Sequence, residues 1–112
     1  MEQVTGASAE PHQGDLRFAG LDIRPQRRLV ERDGIAVALT AYEFDLLYFL
    51  ASHPREVFTR EALLNQVWHY AYVGDARAVT VQMSRLRKKV EKDPAHPCHL
   101  RTVWRVGYTF IP

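Results

Sequence analysis

Apolar residues recur between Arg77 and Lys92 (RAVTVQMSRLRKKVEK) at Val79, Met83, Leu86 and Val90, spaced i, i+4, i+7 and i+11. That spacing keeps returning to one face of a helix with 3.6 residues per turn, and it predicts a helix over about residues 76–92 with one buried stripe. Asp75 is placed to cap its start, where a carboxylate also meets the positive end of the helix dipole. Two shorter helices are predicted before it. Thr40-Ala41-Tyr42-Glu43 has the capping-box pattern and leads into Phe44, Leu46, Leu47, Phe49 and Leu50, so a first helix should end before Pro54. Thr59 should cap a second helix, Arg60–Trp68, with Leu63, Leu64, Val67 and Trp68 on its apolar face. Upstream, LRFAGLDI, RLVER and IAVAL read as short strands separated by turns at Pro25-Gln26-Arg27 and Asp33-Gly34. Asp-Gly between apolar segments is a strong hairpin signal, and a small antiparallel sheet of three or four strands follows. After Lys92, Asp93-Pro94-Ala95-His96-Pro97 stops the helix, and HLRTVW and YTFIP read as two strands around a turn near Arg105 to Gly107.

The predicted fold class is therefore α+β: a winged helix-turn-helix with an N-terminal antiparallel sheet, three helices and a C-terminal β-hairpin wing. Residues 1–14, rich in small and turn residues without periodicity, are expected to be a flexible linker or expression remnant, and residues 15–112 one domain. A hydrophobic fraction of 46% suits a folded chain with a single modest core. A single cysteine, Cys98, forms no intramolecular disulfide and suits a reducing interior; with no long apolar run or signal-peptide pattern, the expected setting is the cytoplasm, away from membranes.

The net charge of +2 hides a strong asymmetry. Residues 77–105 hold eight Lys/Arg against two acids, a net of +6, whereas residues 1–76 hold seven against eleven, a net of −4. An anionic partner on the side of the third helix accounts for this better than solubility does. Opposite the apolar stripe lie Arg77, Val81, Ser84 and Lys88, flanked by Thr80, Arg85 and Lys92. Cations hold phosphate, hydroxyls bond base edges and an exposed aliphatic group touches a thymine methyl, which are the contacts a DNA major groove requires. Arg105 at the hairpin tip could reach an adjacent minor groove, whose negative potential attracts arginine. Lys88, Lys89 and Lys92 also fit a merely solvated face. Trp68 and Trp104 are expected first as packing residues, with Trp104 also able to border the DNA backbone.

From Leu16 to Pro112 the chain resembles the OmpR/PhoB-type winged-helix DNA-binding domain of two-component response regulators. The segments that carry the resemblance are LTAYEFDLLYFLASHPREVFTREALLNQVW, YVGDARAVTVQMSRLRKKVE and LRTVWRVGYTF. It implies a bacterial transcription regulator, without a cofactor, whose third helix reads direct-repeat half-sites on double-stranded DNA as tandem protomers. It places Arg77, Val81 and Arg85 at base edges or their phosphates, Arg87 at phosphate, and Thr102 and Tyr108 on wing strands able to contact the backbone. The loop His69, Tyr70, Ala71, Tyr72, Val73 and Gly74 corresponds to a segment that can face RNA polymerase. Ala78, Thr80 and Gln82 stand where relatives often carry Thr, Asp and His, so the donors and acceptors offered to the groove differ and half-site preference does not transfer. Arg105 stands where glycine is common, which requires either a turn without positive φ or some strain. A phosphorylated receiver domain, usual in such regulators, has no room in 112 residues, and an isolated effector domain is expected to be monomeric.

Other classes leave weaker traces. His96-Pro97-Cys98-His99 contains zinc-ligand types, but closed sites commonly use separated pairs, and a loop is preferred. There is no Gly-rich phosphate loop, HExxH or GxSxG, so no enzyme is expected. A protein-docking module using Tyr70, Tyr72 and Val73 is the more serious rival, with packing of those tyrosines onto the second helix an equal reading. Single-strand binding would need exposed stacking platforms, whereas most aromatics here fit core positions.

Overall fold

The computed structural model describes residues 14–68 and 75–112, so all but Gly14 of the N-terminal segment, and the whole His69–Gly74 loop, lie outside the described residues. Four strands, β1 (Leu16–Phe18), β2 (Leu21–Arg24), β3 (Leu29–Arg32) and β4 (Ile35–Val37), form an antiparallel meander in that order. The segment LRFAGLDI is thus two strands, because Gly20 at φ 74° folds the chain back. Asp33 and Gly34 have φ of 52° and 81°, the pair of positive values that a two-residue hairpin turn needs. IAVAL pairs only as far as Val37, after which the chain leaves the sheet for the first helix cap. Leu21, Ile23 and Val30 are buried on the sheet's inner face, with Ile23 directly opposite Val30.

Helix α1 (Ala41–Ser52) opens on the expected capping box: Thr40 Oγ1 accepts the Glu43 amide at 3.2 Å and Glu43 Oε1 accepts the Thr40 amide at 2.8 Å. In α2 (Arg60–Trp68), Thr59 Oγ1 accepts the Ala62 amide at 3.0 Å. Helix α3 (Arg77–Val90) buries Val79, Met83, Leu86 and Val90, the stripe its periodicity requires, against α1 and α2. Gln82 is also buried.

The end of α3 is corrected by two residues. Glu91 is extended (φ −90°, ψ 141°), and its carboxylate accepts the backbone amides of Cys98 at 2.7 Å, His99 at 2.9 Å and Leu100 at 2.8 Å. Three amide donors satisfy a carboxylate that is almost wholly buried, so the chain turns inward there and Lys92 falls outside the helix. Strands β5 (Leu100–Val103) and β6 (Gly107–Phe110) then form the terminal hairpin. It is tied to the α1–α2 connection by a reciprocal pair of backbone bonds between Phe58 and Tyr108, both 2.9 Å. Gly107 is needed at this crossing: a Cβ there would lie 1.9 Å from the Phe58 carbonyl oxygen.

Candidate nucleic-acid interface

Helix α3 turns Arg77, Thr80, Val81, Ser84, Arg85 and Lys88 to solvent, with Ala78 half-buried at the margin. The sequence grouping of these residues is therefore also a surface grouping. Val81, 46% exposed, supplies an apolar spot within the cationic field. The face is created by the buried stripe behind it, since a helix that commits one side to the core must present the other.

Arg77 opens this face and is held by Asp75. The N-cap position falls on Ala76 rather than on Asp75, because Ala76 already has helical backbone, but Asp75 Oδ1 still accepts the first-turn amide of Arg77 at 2.9 Å. The same carboxylate receives the side chain: Nε lies 3.0 Å from Oδ2 and 3.3 Å from Oδ1, and Nη2 lies 2.7 Å from Oδ2. Hydrogen bonding to Arg77 holds the Asp75 carboxyl below its ordinary range, and the carboxylate in turn raises the guanidinium.

Arg87, by contrast, reaches into the protein. Its Nε donates to the Leu100 carbonyl at 3.0 Å and its Nη2 to Thr102 Oγ1 at 2.8 Å, while the guanidinium lies over the Tyr108 ring at 5.5 Å. Burial pushes its pKa down from the usual arginine value, against the opposing pull of Tyr108 and Glu91. Arg87 thus clamps the hairpin to α3, and it occupies the Thr102 hydroxyl in doing so. Tyr108 is buried, and its hydroxyl approaches Thr80 Oγ1 at 3.5 Å. Lys89, grouped by sequence with the solvated lysines, is paired with buried Glu43 at 2.7 Å.

The hairpin tip corrects one expectation. Trp104 is not a packing residue but is 76% exposed, with the Arg105 guanidinium 4.3 Å from its ring centroid. The tip extends past the core, so an aromatic side chain has nothing to pack beneath. Val106 donates its amide to the Val103 carbonyl at 2.9 Å, and Arg105 inside that turn has φ 65°. The strained alternative foreseen for a non-glycine residue is the one adopted.

Sequence reasoning missed Arg60. From the first turn of α2 its Nη1 donates to Thr80 Oγ1 at 3.3 Å, placing a further cation beside α3. A cleft of about 470 Å³ runs between this end of α2, Thr80 and the hairpin residues Thr102, Arg105 and Tyr108, joining the helix face to the tip. A larger cavity of about 730 Å³, lined by Arg28, Phe44, Asp45, Tyr48 and His53 among others, shares no residue with this surface. In the HPCH segment, His96 bonds Asp93 at 3.0 Å and His99 bonds the Ile111 carbonyl at 2.7 Å, so the two rings are engaged apart from one another.

The family model described as "Transcriptional regulatory protein, C terminal" matches residues 34–110. The chain belongs to this family. As an OmpR/PhoB-type effector domain it is similar to the DNA-binding response regulator MtrA of Mycobacterium leprae, 50% identical over 97 residues that make up 87% of this chain and 43% of MtrA. It is similar in structure to response regulator DrrB of Thermotoga maritima, an OmpR/PhoB homologue, with a TM-score of 0.82 at 35% identity over 88% of this chain and 45% of DrrB. The DNA-binding domain of Klebsiella pneumoniae RstA, solved in complex with RstA box, gives a TM-score of 0.78 at 39% identity over 88% of this chain and 97% of that domain. The chain spans less than half the length of the response regulators MtrA and DrrB. Among its described residues, no helix is long and apolar enough to cross a membrane.

Proposed function

We propose that this chain is the sequence-specific, double-stranded DNA-binding output domain of a bacterial two-component transcriptional response regulator, with α3 in the major groove and the β5–β6 turn in the adjacent minor groove. The observation that carries this reading is the cleft that joins α3 to the hairpin tip beside the exposed cations of α3. Thr80 on the exposed face of α3 and Arg105 at the hairpin tip line one cleft together with Arg60, as a helix and wing spanning neighbouring grooves require. Arg77, Ala78, Thr80, Val81 and Ser84 would face base edges, with Arg85 at bases or their phosphates and Lys88 at phosphate. Arg105 would enter the minor groove with Trp104 against its wall. Arg87 would act through the hairpin it holds, with Thr102 and Tyr108, more than by binding phosphate itself.

At the level of the whole regulator, a cytoplasmic protein with a receiver domain beyond this chain would bind direct-repeat half-sites as tandem protomers. The isolated domain would be monomeric, and the His69–Gly74 loop would face RNA polymerase. The local test is the salt dependence of duplex binding. Affinity should fall steeply and log-linearly with salt, and Arg85→Ala should lower the magnitude of that slope by about 1 if Arg85 neutralises one phosphate. Duplex binding that ignores both salt and the Arg85 substitution would remove the helix face from the interface.

A further inference from the structure

We infer that Asp75 is a specificity-determining positioning residue, which fixes the Arg77 guanidinium so that its free edge reads a guanine in the half-site. The inference rests on the DNA-binding reading above and adds to it a base identity and a residue that sets it.

A guanidinium has two edges able to form paired hydrogen bonds: the side edge, Nε with Nη2, and the end edge, Nη1 with Nη2. Asp75 occupies the side edge, with Nε and Nη2 at 3.0 and 2.7 Å from Oδ2. The end edge is left to an outside partner, on a side chain that remains 83% exposed. Because Oδ1 also accepts the Arg77 amide, the carboxylate is fixed to the helix backbone and the guanidinium is fixed to the carboxylate. An arginine held in this way loses less side-chain freedom on binding, so its hydrogen bonds contribute more to discrimination.

Charge decides which partner fits. A phosphate meeting the end edge would bring its negative charge close to the Asp75 carboxylate, which is 59% exposed and shares the site. Guanine presents two neutral acceptors, O6 and N7, at the spacing of the end edge, without that repulsion. A neighbouring cytosine would offer its N4 donors to the carboxylate. The Asp75–Arg77 pair therefore complements a G·C edge better than it complements the backbone, and the first turn of such a helix is where base edges are met.

The test uses duplexes carrying the site selected by the wild-type chain, with each G·C pair replaced in turn by A·T, in competition titrations. Asp75→Ser keeps a short oxygen to cap the helix but cannot reach the guanidinium, and thermal melting confirms that it folds. Wild type should prefer guanine strongly at one position. Arg77→Ala and Asp75→Ser should each reduce that preference about tenfold, leaving preferences elsewhere in the site unchanged. Affinity of Asp75→Ser for unrelated duplex should hold or rise, because a carboxylate facing DNA has been removed.

Unchanged guanine preference in Asp75→Ser, or an equal gain on all sequences without loss of that preference, would overturn the positioning role. Loss of preference in Arg77→Ala alone would likewise leave Asp75 as a simple cap. Failure of the wild type to select any duplex would overturn the DNA-binding reading itself, a result distinct from these.

Discussion

Arg105 shows what a single backbone angle implies about a side chain. At φ 65° a non-glycine residue is disfavoured by about 1 kcal/mol, and the exposed tip gives it no buried contact to offset this. Arg105→Gly should therefore leave stability unchanged or raise it by up to about 1 kcal/mol in urea unfolding, while weakening duplex binding and flattening A·T preference beside the half-site. A variant that is less stable but binds DNA normally would place the arginine's role in the fold. Cation and strain were both legible at this position: the sequence shows an arginine where glycine is common, inside a predicted turn. Trp104 was not legible, because an aromatic is buried by default and only the reach of the hairpin past the core decides otherwise.

At the scale of elements, the hairpin is held to the helices and their connection by contacts between residues well separated in sequence, three of which decide its position. Arg87 bonds Leu100 and Thr102, Glu91 gathers the amides of Cys98, His99 and Leu100 at the start of β5, and Phe58 pairs with Tyr108. Such contacts escape a periodicity reading, which recovers helix faces and caps but not which charged residue is drawn under a neighbouring strand. That is why α1, α2 and the buried stripe of α3 were readable, while the inward turn at Glu91 and the clamp at Arg87 were not. The crossing at Gly107 gives a sharp prediction. A methyl group 1.9 Å from the Phe58 carbonyl oxygen cannot be absorbed by a side-chain rotation, so Gly107→Ala should destabilise the domain by about 3 kcal/mol or detach the hairpin. Hydrogen exchange should then report early loss of protection at Tyr108 and Phe58, and wild-type protection at those amides would contradict the crossing.

For the whole molecule, one link between the −4 stretch (residues 1–76) and the +6 stretch (residues 77–105) is the pairing of buried Glu43 with part-exposed Lys89, which joins the start of α1 to α3. Burial alone would raise the Glu43 carboxyl, but hydrogen bonds and attraction from Lys89 and the Thr40 cap together hold it below its ordinary value of 4.5. A group with a depressed folded pKa stabilises the fold above its unfolded pKa and loses that contribution as pH falls through the folded value. The stability difference between wild type and Glu43→Gln should thus be about 2 kcal/mol near neutral pH and shrink below the ordinary carboxylate range. A gap that persists undiminished in acid would assign it to packing instead. Arg77, Arg85 and Lys88 stay exposed on α3, and whether they read sequence is the central question. Selection of bound duplexes from a randomised pool at near-physiological salt addresses it most directly. The account predicts enrichment of one short half-site containing a guanine, repeated about one helical turn apart. A bound pool no different in sequence from the starting pool would contradict it.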